Sequence, residues 1–239
     1  MRARLDGHGF DLEALLDLFA AGDPRVVLDG SDVFLESHGA MEDEQGGLDY
    51  HAAQRLLRRV NGIGRALCPG FRPVRLTNDY ILRDGSHVSV ALAQPAESRA
   101  RVGNVTVAVD GVVTDAPAPK GPSFAELALH DADVEDALRV LGQPDDLDWY
   151  DVYKACEIVT TTVGGIDTVT ARGWATRREL ERLRASANHP GISGDAARHS
   201  RMQGTPGRDK AMTLDEAKSL VCRLVSQWIE SRTIESRPE

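Results

Sequence analysis

DYHAAQRLLRRVNGIGRAL, Asp49 to Leu67, decides the fold class because a different periodicity brackets it on both sides. Within it Ala53, Leu56, Leu57, Val60, Ile63 and Leu67 recur at helical spacing and mark one apolar face. Asp49 is the expected N-cap, and Pro69-Gly70 ends the helix. Upstream, VVLDGSDVFLES turns at Asp29-Gly30. Downstream, YILRDGSHVSVALA and NVTVAVDGVVT turn at Asp84-Gly85 and Asp110-Gly111. Asp-Gly between β-branched runs is a short-range hairpin signal. An isolated hairpin is marginal in water, so these strands are expected to share one small antiparallel sheet packed on helices. A second helix is expected over 11–21, where Leu12, Leu15, Leu16 and Phe19 form an apolar stripe stopped by Gly22 and Pro24. The expectation for 1–115 is therefore an α+β module.

APAPKGPS, 116–123, reads as a linker, and the chain beyond it is helical in pattern. Val134, Ala137, Leu138 and Leu141 mark one helix closed by Gly142. Trp149, Val152, Cys156, Val159 and Val163 mark another, ended by Gly164-Gly165. Thr176 with Glu179, and Thr213 with Glu216, have the spacing of capping boxes that open two more helices. Residues 124–231 are expected to form an α-helical bundle, and 232–239 a frayed tail. The fold class is thus α+β, with a small sheet and helices followed by the bundle.

Composition narrows the setting. No apolar run approaches the roughly 20 residues that span a bilayer, and FDLEALLDLF carries three acids, so a signal peptide or membrane span is not expected. Cys68, Cys156 and Cys222 are far apart, which predicts free thiols and a reducing cytoplasm. ESHGAMEDEQGG holds five acids and histidines but reads as a solvated loop, so no metal site is expected. GGIDTVTARG lacks phosphate-loop spacing, so no nucleotide cofactor is expected either.

The net charge of −9 is unevenly spread. Residues 1–50 hold twelve acids against three basic residues, whereas 172–208 holds eight arginines against three acids. A local basic stretch can hold phosphate on an acidic protein. It can equally be neutralised within the fold, for instance against Asp145, Asp146 and Asp148.

Inside the basic stretch lies LERLRASANHPGISGDAARHSRM, Leu180 to Met202. Its arginine followed by a histidine near a helix end, on a helical domain, resembles the HEPN superfamily, compact bundles that include toxin and defence ribonucleases. The resemblance spans roughly residues 130–230. It implies a homodimer in which the motif faces its copy, with Arg184 as the fixed charge and His189 as the proton carrier of metal-independent RNA cleavage. On an ideal helix Arg184 and His189 stand about 140° apart, so convergence requires the helix to unwind before Pro190, which disfavours the α region for His189. His199 is a second candidate proton carrier, after a turn capped by Asp195, and Asn188, Arg198 and Arg201 are the expected nucleic-acid contacts. MTLDEA, 212–217, followed by Trp228, is also similar to the closing helix of uncharacterised bacterial proteins.

The function expected from these features is a binding or sensing protein with RNA affinity. The alternatives are a ribonuclease using Arg184 with His189 or His199, and a scaffold for another protein through the acidic face.

Overall fold

RARLD, whose apolar residues are only Ala3 and Leu5, forms a strand that the sequence reading does not anticipate, and that strand organises the sheet. Among the described residues, β1 (Arg2–Asp6) lies in the middle of five antiparallel strands. On one side are β3 (Asp32–Glu36) and then β2 (Arg25–Asp29); on the other are β4 (Arg75–Ile81) and then β5 (His87–Ser89). Ala3 and Leu5 are buried on the inner face, as the period of two requires. Arg2 and Arg4 face outward into cross-strand ion pairs, Arg4 reaching Asp32 at 2.7 Å. The computed structural model describes residues 1–90, 119–193 and 211–235.

The turns at Asp29-Gly30 and Asp84-Gly85 form as expected, with Gly30 at φ +62° and Gly85 at φ +84°, backbone that glycine adopts without a Cβ clash. The hairpin expected at Asp110-Gly111 lies outside the described residues. α1 (Gly9–Leu18) begins and ends earlier than the expected 11–21. His8 accepts the Phe10 amide at its start, and Phe19 caps its end.

α2 (Tyr50–Leu67) matches the expected helix, with the Asp49 carboxylate accepting the Ala52 amide at 2.9 Å. Asn61, 2% exposed, faces the entry to β4 and makes two bonds to one residue. Its Nδ2 donates to the Val74 carbonyl at 2.9 Å, and its Oδ1 accepts the Val74 amide at 3.0 Å.

α3 (Lys120–His130) uses Lys120 to Ser123, the second half of the expected linker, as its first turn. Pro122 is compatible with that position because an amide in the first turn has no intrahelical partner. α4 (Ala132–Leu141) crosses α2 closely enough that a Cβ at Gly62 would run into the Leu138 carbonyl, and one at Gly142 into the Arg58 carbonyl. The buried Arg65 guanidinium then donates to the carbonyls of Leu141, Gln143 and Asp145, at 2.6 to 2.9 Å, satisfying the chain as it leaves α4.

The remaining helices among the described residues are α5 (Trp149–Thr162), α6 (Ile166–Ala171), α7 (Arg177–Asn188), α8 (Pro190–Ser193) and α9 (Leu214–Glu235). Both expected capping boxes are present: the Thr176 hydroxyl accepts the Glu179 amide, and the Thr213 hydroxyl accepts the Glu216 amide, each at 3.2 Å. α9 extends four residues into the expected tail, and Arg232 donates to Asp131 at 2.5 and 3.0 Å. α2 touches β4 as well as α3, α4 and α9, and one contiguous apolar cluster runs from Met1 to Ile229. No helix among the described residues is long and apolar enough to cross a membrane.

Candidate functional site

α7 carries the stretch singled out in the sequence. Its Thr176 box fixes the start, where the Thr176 amide donates to Glu179 Oε2 at 2.7 Å. That bond, with the Thr176 hydroxyl and the Arg223 guanidinium, holds the Glu179 carboxyl down at about 2. Leu180, Leu183 and Ala187 point into the core. Ser186, fully buried, accepts the Met212 amide at 2.9 Å, while Arg182 donates to the Ala211 carbonyl at 2.6 and 3.1 Å. These bonds tie α7 to the residues that lead into α9.

The helix does unwind before Pro190. His189 has φ −99° and ψ 116°, extended backbone, and α7 stops at Asn188. The imidazole, 9% exposed, is engaged in the junction with α8: its Nδ1 accepts the Gly191 amide at 3.0 Å. An accepting Nδ1 carries no proton, so the ring N–H is on Nε2. Asn188 is half occupied: its Nδ2 donates to the Arg184 carbonyl one turn back at 2.7 Å, while its buried Oδ1 has no partner among the described residues. His199, Arg198 and Arg201 lie outside the described residues.

Arg184 is exposed and sits elsewhere, at the rim of a groove of about 240 Å³ between α5 and α7. His189 is not among the residues that line it. The α7 wall is Leu180, Leu183 and Arg184, at steps of three and one. The α5 wall is Tyr153, Cys156, Glu157, Thr160 and Thr161, which share one helix face. Gly164 at φ +87° and Gly165 at φ +118° turn the chain sharply after α5, which brings Ile166 of α6 to the groove.

The groove is therefore apolar at its floor, through Cys156, Leu180 and Leu183, and polar at its rim. Burial pushes the Cys156 thiol up to about 12, so it is a neutral thiol rather than a thiolate nucleophile at neutral pH. The Thr160 hydroxyl, part of the lining, donates to the Cys156 carbonyl at 2.9 Å. Among the described residues no group of three or more histidines, cysteines or acids is placed to hold a metal.

The basic stretch is partly neutralised. Arg177 pairs with Asp167, Arg182 with Glu216, and Arg172 with Glu235 while lying 5.0 Å from the Trp174 ring centre. Among the described residues Arg184 makes no ion pair. It lines the groove from α7, and Glu157 lines it from α5.

The sequence singles out Arg184 but not the residues across from it. The signal that would have found the site is the polar series Tyr153, Glu157, Thr160 and Thr161 running beside the apolar seam of α5. Compared with protein-family models, curated proteins and solved structures, the chain matches none.

Proposed function

We propose that this chain is an RNA-binding protein that holds its ligand at the α5–α7 groove through Arg184, without cutting it. The observation that carries this reading is the separation of the two motif residues. Arg184 stands exposed at the groove rim, whereas His189 is buried at the α7–α8 junction with Nδ1 engaged by the Gly191 amide. A guanidinium alone supplies a fixed charge for a phosphate but no proton transfer. RNA is the anion favoured by the composition of residues 172–208, which hold eight arginines against three acids.

The test is fluorescence anisotropy with a labelled single-stranded RNA between about 50 and 200 mM salt. Steeply salt-dependent binding is expected, and Arg184→Ala should weaken it and flatten the salt slope by about one. Binding that ignores Arg184→Ala removes the anchor. Cleavage of the RNA in EDTA that is lost in an Arg184→Ala/His189→Ala double variant would establish the ribonuclease instead.

A further inference from the structure

We infer that Asp29, at the tip of the β2–β3 hairpin, is a modification site, where the aspartate converts to isoaspartate and so becomes a substrate for a carboxyl methyltransferase. The inference is independent of RNA binding.

The conversion needs no partner molecule but water. The Gly30 amide nitrogen attacks the side-chain carboxyl carbon of Asp29. A nitrogen–carbon bond forms and the carboxyl C–OH bond breaks. The hydroxyl leaves as water with the amide proton, which closes a five-membered imide. Water then opens the ring at either carbonyl. Opening at the original main-chain carbonyl routes the backbone through the side chain and leaves a free α-carboxylate, the group that a methyltransferase esterifies with S-adenosylmethionine. Nothing is oxidised or reduced. The site must therefore offer a residue without a Cβ after the aspartate, an unclaimed amide, and a carboxyl group that can turn and take up a proton.

The chain has four Asp-Gly pairs, at 6–7, 29–30, 84–85 and 110–111, and the last lies outside the described residues. Asp6-Gly7 is held in the sheet. Asp6 is paired with Arg75 of β4, and a Cβ at Gly7 would come within 2.7 Å of the Val74 side chain, so this peptide has no room to turn. At Asp84-Gly85 both reacting groups are engaged. The Gly85 amide donates to the Leu82 carbonyl at 3.1 Å, and Asp84 Oδ1 accepts the Ser86 amide at 2.9 Å and its hydroxyl at 2.6 Å. Those two bonds hold the Asp84 carboxyl below its ordinary value, in the anionic form that resists attack.

Asp29-Gly30 has none of these restraints. Among the described residues the Gly30 amide makes no hydrogen bond, and nothing lies within 4 Å of where a Cβ would stand. The Asp29 side chain is 63% exposed, and the ion pair it makes with Arg2, at 3.2 Å, is of the surface kind that is broken at little cost. Asp29 and Asp32 are the last pair of the ladder, so fraying of that one pair frees the peptide to turn.

The test uses the full chain, aged in warm neutral buffer and then labelled by an isoaspartyl methyltransferase with radioactive S-adenosylmethionine. Tryptic cuts after Arg4, Arg25, Arg83 and Arg101 place the four Asp-Gly pairs on separate peptides. The Asp29 peptide is expected to carry several times the label of the Asp6 or Asp84 peptide. Gly30→Ala should lower its label, because a Cβ hinders ring closure. Ser86→Ala, which removes one of the bonds on Asp84, should raise the label there.

Label on the Asp6 or Asp84 peptide equal to that on the Asp29 peptide overturns the assignment, and so does an Asp29 peptide that stays unlabelled. The comparison between peptides is made on the unaltered protein, so it decides the matter even if a variant fails to fold.

Discussion

The Asn61 carboxamide replaces a strand partner for Val74, accepting its amide at 3.0 Å and donating to its carbonyl at 2.9 Å. One α2 side chain thereby fixes where β4 begins. In Asn61→Ala both main-chain groups would lose their protein partner in a buried setting, at about 1–3 kcal/mol for each unsatisfied group. The expected loss is about 2–3 kcal/mol in urea unfolding. A change below about 0.5 kcal/mol, the scale of an ordinary surface substitution, would show that the bond pair is replaced by water.

The α2–α4 crossing depends on the absence of a side chain at Gly62. Gly62→Ala must push the Leu138 carbonyl away, and the expected cost is about 2–3 kcal/mol. Gly9→Ala is the control, because nothing lies within 4 Å of the added Cβ. Thermal unfolding should separate the two variants clearly, and similar midpoints would refute the close crossing.

Glu179 gives the fold a pH dependence. Its carboxyl is held at about 2, against an ordinary value of 4.5, chiefly by the Thr176 amide. A depressed carboxylate stabilises the folded state above its ordinary value, and the contribution is lost as pH falls from about 4.5 toward about 2. Glu179→Gln should therefore be less stable than the unaltered protein at neutral pH. The gap should narrow steadily through that acidic window; a gap that stays constant down to the bottom of it would mean that the charge contributes nothing.

His189 is expected to matter for structure more than for binding. His189→Ala removes the acceptor for the Gly191 amide and should cost about 1 kcal/mol of stability. RNA affinity should stay within about twofold of the unaltered protein, a change well under 1.4 kcal/mol. A loss of binding as large as that of Arg184→Ala would bring the imidazole back into the site.

Elements whose reasons are local are legible in the sequence. α2 carries its cap at Asp49 and its stop at Pro69-Gly70, and α7 carries its Thr176–Glu179 box. Elements whose reasons are distant are not. β1 has two apolar residues in five, and its place depends on β3 and β4 on either side. α3 opens inside APAPKGPS, where Pro122 and Gly121 imitate a linker; a Cβ at Gly121 would meet the Leu18 carbonyl and the Phe19 ring.

The candidate site divides the same way. Arg184 and the unwinding at His189 follow from a helix and a proline. The groove exists only because α5 and α7 lie side by side, and no spacing within either helix announces that.

The middle position of β1 sets an order of events during synthesis. Residues 2–6 are made before both strands that they pair with, and the β3 partner follows soon after. The edge that β4 will cover must wait for about seventy more residues, from Asp6 to Arg75. At about 5–20 residues per second that is roughly 4–14 s with one row of amides and carbonyls unclaimed. Charged side chains on an open edge discourage pairing with a stranger. Arg2 and Arg4, which lock the finished sheet through ion pairs, would serve as guards of the nascent one.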